Sequence, residues 1–258
     1  MTTDAPARTQ ARPIPRPIPP LPPVMSTVRS CKSVMPERRT ARSINVHPRF
    51  GRYGQAVAGP LPLTFLRSYA RADDLPYVHA EVALVGRSNV GKSSLLNAVA
   101  QRRHLAKTSK TPGATRLLNA FELAPENSGR WLMDLPGYGY ARVSKQEQQK
   151  WATMLSRYIE ERENLRSVLL LIDGAVGPTA LDLQTVEWLQ SLNRPITYVA
   201  TKMDKVRPSQ SSRRRTEVVT RLGVAKSDVT WTSAEKGLGI PELRATIVSL
   251  LTDGSNAH

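Results

Sequence analysis

Residues 86–93 read GRSNVGKS, a segment whose glycines, lysine and serine could bind phosphate. The segment follows the apolar residues 82–85 and precedes a helical pattern, which is the strand–loop–helix setting of the motif G-x-x-x-x-G-K-[ST]. Its glycines allow a tight turn in which backbone N–H groups point at phosphate oxygens, and the helix adds its positive N-terminus. Lys92 would reach the β- and γ-phosphates, and the Ser93 hydroxyl would bind Mg²⁺. This phosphate loop (residues 86–93) predicts a nucleotide site formed by Gly86, Arg87, Ser88, Asn89, Val90, Gly91, Lys92 and Ser93.

A second candidate segment, residues 134–137, reads DLPG and directly follows the apolar residues 131–133. An aspartate at a strand end beside a phosphate loop can hold Mg²⁺, usually through a water molecule. A glycine three residues later offers its backbone N–H to the γ-phosphate with no side chain in the way. The pattern therefore predicts nucleotide contacts from Asp134, Leu135, Pro136 and Gly137.

Residues 111–116, TPGATR, have the small polar composition of a mobile loop. A threonine in this loop could complete the Mg²⁺ shell with its hydroxyl and could donate its N–H to the γ-phosphate. Spacing alone does not choose among the three threonines in and before this segment. A plain surface turn is the alternative interpretation.

Two further segments could select the base, and each follows an apolar run. In the first, TKMD at residues 201–204, the Asp204 carboxylate could accept hydrogen bonds from guanine N1–H and N2–H₂. Adenine lacks this donor pair, so Asp204 would select GTP over ATP. The aliphatic stem of Lys202 could cover the base. In the second, residues 233–235, the Ala234 N–H could meet guanine O6.

These segments require a scaffold that brings strand ends together. Apolar patterns and turn residues predict strands at 80–85, 117–123, 130–134, 167–172, 195–200 and 229–232, with residues 63–70 as a short lead-in element. They predict helices at 92–101, 145–163, 180–192, 209–222 and 240–251. Such alternation indicates a mostly parallel six-stranded sheet covered on both faces, with the 117–134 hairpin supplying one antiparallel edge strand. Ligands bind at the carboxyl ends of strands in such sheets.

The charge, cysteine content and proline distribution of the sequence indicate the class of partner and the domain organisation. The formal net charge of +16 favours a polyanionic partner, and the arginine run at residues 213–215 could meet RNA phosphates or form a solvated helix face. The single cysteine, Cys31, excludes an intrachain disulfide, and no apolar run approaches the ~20 residues that span a bilayer. Residues 1–62 hold 12 of the 20 prolines and predict a disordered extension. A transit peptide and a true start at Met25 are alternatives.

The ordered set GRSNVGKS, TPGATR, DLPG, TKMD and TSA resembles the translation-factor-like small GTPases. The longer strings SKTPGATRLLN and DLPGYGYA resemble the EngB family, also called YihA or YsxC, and the resemblance covers residues 63–252, leaving a short tail at 253–258. It implies a Ras-like three-layer α/β fold and Mg²⁺ held by the Ser93 and Thr115 hydroxyls. Beyond the phosphate loop it implies guanine nucleotide contacts from Gly113, Ala114, Thr115, Arg116, Leu117, Asp134, Leu135, Pro136, Gly137, Thr201, Lys202, Met203, Asp204, Thr232, Ser233 and Ala234.

The resemblance also implies a biological role. EngB proteins are described as GTP-binding proteins needed for normal cell division and septation, and they are linked to assembly of the large ribosomal subunit. We therefore expect a monomer that acts on ribosomal RNA of a large-subunit precursor, without a membrane partner, in the bacterial cytoplasm or an organelle of bacterial origin. The alternative function is a nucleotide-state-dependent RNA- or ribosome-binding module whose GTP hydrolysis is incidental.

Three residues depart from common GTPase patterns. Tyr138 stands where many GTPases place a glutamine that orients the attacking water, which predicts slow intrinsic hydrolysis. Asn89 resembles the asparagine with which related GTPases hold K⁺ beside the phosphates, so K⁺ activation is a hypothesis. Thr201 replaces the usual asparagine of the guanine motif and predicts weaker, micromolar affinity. The residues expected to take part in catalysis are Lys92, Thr115, Gly137 and Asn89.

Overall fold

The computed structural model of the chain describes residues 59–106, 117–139 and 145–252. Its strands are β1 Leu63–Tyr69, β2 Ala80–Gly86, β3 Leu118–Leu123, β4 Arg130–Asp134, β5 Leu165–Asp173, β6 Ile196–Thr201 and β7 Val229–Trp231. Its α-helices are α1 Lys92–Ala100, α2 Lys145–Glu161, α3 Ala180–Ser191, α4 Pro208–Leu222 and α5 Ile240–Thr252. Every predicted helix and strand is present, and the boundaries move by at most two residues.

The seven strands form one sheet in the order β1-β3-β4-β2-β5-β6-β7. β3 runs antiparallel to both of its neighbours, β1 and β4, and the other pairings are parallel. The predicted α/β class and the hairpin of β3 and β4 are confirmed. The predicted count of six strands and the predicted edge strand are wrong. The sheet has a seventh strand, β1, which forms the edge and places β3 one position in from it.

Strand β1 lacks the alternating pattern of buried and exposed side chains that is typical of a strand. Its ends, Leu63 and Tyr69, are buried, whereas the residues 64–67 between them are exposed. Its register with β3 shifts between Phe65 and Arg67, and such a bulge interrupts the alternation of inward and outward side chains. The strand therefore depends on pairing with a distant segment, which the sequence pattern does not show.

The central strand β5 shows how the core is divided between the two faces of the sheet. Val168, Leu170 and Ile172 belong to the cluster on one face, and Leu169 and Leu171 belong to the cluster on the other. Helices α2, α3 and α4 pack on the first face, and α1 and α5 pack on the second. Because both faces of β5 are buried, successive residues along the strand are all apolar. Burial of each large apolar side chain stabilises the fold by about 1.5–3 kcal/mol.

A buried ion pair joins α2 to the start of β2, at the end of the sheet opposite the phosphate loop. Glu81 is fully buried and accepts a hydrogen bond of 2.5 Å from the Tyr158 hydroxyl. Arg162 forms an ion pair with Glu81 and donates to the Pro76 carbonyl at 2.9 Å. Burial and the charge of Glu81 raise the pKa of Tyr158 well above its usual range, so the phenol stays protonated and donates.

The packed chain begins before Leu63, the expected start of the domain. Leu61 is only 2% exposed, and its N–H donates to the Val99 carbonyl at 2.9 Å at the end of α1. At the other end, α5 continues to Thr252. Within the part of the chain that the structure describes, none of the helices has the length and apolar character needed to cross a membrane.

Candidate functional site

The phosphate loop connects the end of β2 to the start of α1, as the sequence predicts. Gly91 occupies the N-cap position of α1 with φ of 110°, a left-handed conformation that favours glycine. Asn89 also adopts a left-handed conformation, with φ of 60°. The first N–H groups of α1 have no partner within the helix, so this turn presents donors and a positive dipole to an anion.

Lys92 and Asp134 place opposite charges in the interior beside this loop. Lys92 is 8% exposed and Asp134 is 1% exposed. Burial lowers the pKa of Lys92, while the nearby Asp134 charge opposes that shift. Burial raises the pKa of Asp134 to about 6, against the opposing effects of Lys92 and of a hydrogen bond from Asn119. The ionised carboxylate is therefore destabilised until a further cation or hydrogen-bond donor reaches it.

The residues present fit a magnesium ion bound with the nucleotide. Of the residues that the structure describes, none donates a hydrogen bond to the buried Asp134 Oδ1. An unpartnered carboxylate oxygen and the Ser93 hydroxyl at the start of α1 are the hard oxygen ligands that Mg²⁺ prefers. When bound, Mg²⁺ neutralises charge on the β- and γ-phosphates. Asp134 would hold it through water, and Ser93 directly.

The segment 134–137 lies directly against the phosphate loop. The Tyr138 N–H donates to the Gly86 carbonyl at 3.3 Å, and the Ser88 N–H donates to the Tyr138 carbonyl at 3.0 Å. A Cβ on Gly137 would lie 2.9 Å from both Lys92 Nζ and the Ser88 nitrogen. Glycine is therefore required at this position by its close approach to the phosphate loop.

The two segments predicted to select the base meet at the ends of β6 and β7. The Ser233 hydroxyl donates to Asp204 Oδ1 at 2.5 Å, and the Met203 N–H donates to the Thr232 carbonyl at 3.1 Å. Ser233 is fully buried, and its oxygen also accepts the Lys236 N–H. The Ser233 hydroxyl therefore fixes one oxygen of the Asp204 carboxylate, the group predicted to accept hydrogen bonds from guanine.

Thr201 and Lys202 tie the base-selecting segment to the phosphate loop. The Lys202 ammonium donates to the Asn89 carbonyl at 2.6 Å and to Asp173 Oδ2 at 2.7 Å. The Thr201 hydroxyl donates to the Val90 carbonyl at 2.7 Å. Thr201 therefore supports the backbone of the phosphate loop. The sequence analysis considered Thr201 only as a replacement for the usual asparagine and did not predict this role.

The structure brings most of the predicted site residues to one edge of the sheet. The phosphate loop, residues 134–137, residues 201–204 and residues 232–234 all follow the carboxyl ends of β2, β4, β6 and β7. Leu117 directly precedes β3 and is exposed. The predicted contacts Gly113, Ala114, Thr115 and Arg116 lie outside the described residues.

Three residues of the site were missed by the sequence reasoning. Asn119 lies on β3 opposite Asp134, and Asp173 ends β5 beside Lys202. Asp182 accepts a hydrogen bond of 2.9 Å from the Tyr138 hydroxyl. Only Asp182 had a local signal, since Thr179-x-x-Asp182 is a capping-box pattern, whereas Asn119 and Asp173 depend on strand pairing.

Comparison with known proteins agrees with this geometry. Residues 81–202 match a protein-family model described as 50S ribosome-binding GTPase. The chain is 46% identical over 181 residues to a GTP-binding protein EngB of Thermotoga maritima, covering 69% of this chain and 90% of that protein.

Solved structures show the same fold. A crystal structure of a GTP-binding protein engB aligns with a TM-score of 0.55 at 24% identity, covering 67% of this chain and all of that one. Era in complex with MgGDPNP and nucleotides 1506–1542 of 16S ribosomal RNA aligns with a TM-score of 0.54 at 25% identity, covering 71% and 60% of the two chains. The chain therefore belongs to the EngB family of GTP-binding proteins and is a GTPase with a Ras-like α/β fold.

Proposed function

We propose that this EngB-family protein is a slow, Mg²⁺-dependent GTPase switch that acts in assembly of the large ribosomal subunit and is needed for normal cell division and septation. The observation that carries the ribosomal role is the match of residues 81–202 to the family described as 50S ribosome-binding GTPase. Era, part of which aligns with this chain, was crystallised with nucleotides of 16S ribosomal RNA, so a protein that contains this fold binds ribosomal RNA. The sequence's net charge of +16 suits an RNA partner.

The arginine run on α4 contributes unequally to such a surface. Arg214 donates to the Val176 carbonyl at 3.1 Å and to Glu217 at 2.9 Å, and the Arg215 guanidinium lies 5.0 Å from the centre of the Trp231 ring. Arg213 is exposed. Arg213 is therefore our candidate for phosphate contact, while its two neighbours hold α4 in place.

Slow hydrolysis follows from where Tyr138 points. Its hydroxyl donates to Asp182 at the start of α3 rather than facing the expected phosphates. The residue after Gly137 therefore holds no water for attack in this arrangement, and charge stabilisation falls to Lys92, the bound Mg²⁺ and, as we propose, K⁺ beside Asn89. A faster rate in K⁺ than in Na⁺ at equal ionic strength is the expected result, and equal rates would exclude the K⁺ role.

The remaining assignments are a monomer and a location in the bacterial cytoplasm, or in an organelle of bacterial origin. The bacterial source of the similar EngB protein supports this location. The Mg²⁺ requirement is supported by the unpartnered buried oxygen of Asp134. Thr115 completes the proposed metal site from the segment that the structure does not describe.

Co-sedimentation with purified ribosomal subunits tests the ribosomal role. We expect binding to the large subunit with a GTP analogue, and weaker binding with GDP or without nucleotide. Arg213→Glu should weaken binding several-fold, whereas Arg166→Glu, also an exposed arginine but at the start of β5, should not. Binding that is equal for both subunits, or unaffected by nucleotide, would contradict the proposed switch.

A second candidate function is a ribosome-binding module in which hydrolysis is incidental, and the position of the Tyr138 side chain favours it. Phosphate release measured over hours, with and without large subunits, separates the two functions. Stimulation by large subunits supports the switch, and an unchanged rate supports the binding module.

A further inference from the structure

The side chain of Asn119 lies between the Asp134 carboxylate and the edge strand β1. Asn119 and Asp134 are directly opposite each other in the pairing of β3 with β4, and Asn119 donates a hydrogen bond to the carboxylate. On its other side Asn119 pairs with Ser68 of β1, and the Ser68 hydroxyl donates to Asn119 Oδ1 at 2.6 Å. A chain of two hydrogen bonds therefore crosses three strands, from the edge of the sheet to the predicted Mg²⁺ site.

The direction of these hydrogen bonds follows from the chemistry of the three side chains. An ionised carboxylate can only accept hydrogen bonds, so the Asn119 amide must turn its Nδ2–H₂ group toward Asp134. The amide oxygen then faces β1, where it needs a donor. The Ser68 hydroxyl is that donor, since a hydroxyl rotates to suit its partner. Ser68 therefore sets which end of the Asn119 amide faces the carboxylate.

The bond from Asn119 gives the two oxygens of Asp134 different surroundings. Within residues 59–106, 117–139 and 145–252, no group forms a hydrogen bond with the buried Oδ1. The bond from Asn119 consequently falls on Oδ2 and leaves Oδ1 available for a water molecule of the Mg²⁺ shell. Hydrogen bonds from outer partners of this kind orient the carboxylates that bind metal ions.

Neither Ser68 nor Asn119 belongs to a nucleotide motif. In the sheet, β4 separates their strands from β2, the strand that leads into the phosphate loop. Any effect of these two residues on a bound nucleotide must therefore pass through Asp134 on β4. The hydrogen bond from Ser68 also gives β1, an edge strand with an irregular burial pattern, a connection to the site.

We propose that Asn119 and Ser68 are positioning residues that hold the Asp134 carboxylate in the orientation that binds hydrated Mg²⁺. We name the Ser68–Asn119–Asp134 chain the carboxylate relay. The inference rests on the proposed Mg²⁺ requirement and deepens it, because it assigns the residues that orient the metal ligand. Outer partners of metal ligands typically contribute about 10–100-fold to metal affinity. Loss of the relay should therefore weaken binding of Mg²⁺ and leave the metal-free binding of nucleotide unchanged.

Titration of Mg²⁺ into the full chain loaded with fluorescent GDP tests the relay without hydrolysis. The slowing of GDP release with increasing Mg²⁺ gives a Kd for the metal. Asn119→Ala should raise this Kd about tenfold, which is the lower end of the effect of an outer partner. Ser68→Ala should raise it about threefold, because it removes one neutral hydrogen bond and keeps the amide. Ser68→Thr keeps the hydroxyl on a residue that suits a strand and should restore the wild-type Kd.

Ser167→Ala is the matched control, because it removes another cross-strand contact, of 2.9 Å between the Ser167 and Thr197 hydroxyls, near the starts of β5 and β6. It should leave the Kd for Mg²⁺ unchanged, and the affinity for GDP in EDTA should be the same in every variant. A wild-type Kd for Mg²⁺ in Asn119→Ala, or an equal rise in Ser167→Ala, would overturn the relay alone. GDP release that ignores Mg²⁺ in the wild-type chain would overturn the Mg²⁺ requirement and the relay with it.

Discussion

At the scale of single residues, the site buries two opposite charges beside the phosphate loop. Lys92 and Asp134 are both nearly inaccessible, and their mutual attraction only partly offsets the loss of solvation. Such an arrangement is unfavourable for the free protein and favourable once the phosphates and a cation arrive. The Asp134 carboxylate therefore lowers the stability of the free protein, although it is the group expected to help bind Mg²⁺.

Asp134→Asn should stabilise the nucleotide-free protein at neutral pH. Burial raises the pKa of Asp134 from 3.8 to about 6, so the folded state holds the proton more tightly than the unfolded state. Stability from the protonated form is complete below pH 3.8 and is lost as the pH rises through about 6, amounting to on the order of 3 kcal/mol. Urea unfolding from pH 4 to pH 7 should show a stability gain for the variant that grows with pH. A gain that is independent of pH would contradict this.

Gly137→Ala should impair the γ-phosphate site selectively. The added Cβ would lie 2.9 Å from the Ser88 nitrogen, a backbone atom that cannot rotate away. We expect GTP hydrolysis to slow on the order of 100-fold, because displacement of a positioned group by ~1 Å has that effect. GDP affinity should change little. Gly59→Ala is the control, since open space surrounds a Cβ at that position. An unchanged hydrolysis rate would show that Gly137 does not approach the γ-phosphate.

At the scale of elements, the two ends of the sheet carry separate tasks. The carboxyl ends of β2, β4, β6 and β7 hold the site, while the Glu81 ion pair fastens α2 to the start of β2 at the other end. The Lys202 and Thr201 bonds then join the β6 end to the phosphate loop. Stability at the far end can therefore be changed without touching the nucleotide contacts.

Arg162→Ala should destabilise the fold strongly while leaving nucleotide selectivity intact. The substitution leaves the fully buried Glu81 with Tyr158 but without its counter-ion, and breaking a buried pair in this way costs about 3–5 kcal/mol. Arg157→Ala, in the last turns of α2, removes surface ion pairs with Glu161 and Asp73, for which we expect less than about 1 kcal/mol each. Urea unfolding of the two variants gives the comparison. Similar losses for both would show that the buried pair contributes no more than a surface one.

At the scale of the whole molecule, positive charge is shared between the proline-rich extension and the folded domain. Residues 1–60 carry ten lysines and arginines against Asp4 and Glu37, and the rest of the net charge of +16 lies in the domain. An RNA partner would therefore contact the domain as well as the extension. The extension's composition predicts that it adds affinity rather than stability.

Two deletions separate the extension from the fold. Removal of residues 1–58 should leave the free energy of unfolding unchanged within about 0.5 kcal/mol, because the proline-rich segment is predicted not to pack. Removal of residues 1–62 should cost about 2 kcal/mol more, since it takes away the buried Leu61 and its bond to Val99. Thermal and urea unfolding give both values. A large loss with the shorter deletion would mean that the extension packs on the domain.

The sequence by itself determined the parts of this protein that depend on neighbours along the chain. The glycines and lysine of the phosphate loop, the DLPG and TKMD segments and the periodic helices each carry a local pattern, so their positions and their meeting at one sheet edge could be predicted. Thr115 and the rest of its loop stay predictions, because they lie outside the described residues.

Only the tertiary structure decided what depends on distant pairing. Strand β1 at the edge, Asn119 beside Asp134 and Asp173 beside Lys202 all arise from contacts between segments far apart in sequence. The direction of the Tyr138 side chain is the clearest case. The sequence showed that a glutamine was missing, and the fold showed that the tyrosine hydroxyl bonds Asp182, 44 residues away. Burial and hydrogen-bond geometry are properties of the packed chain, and no local pattern records them.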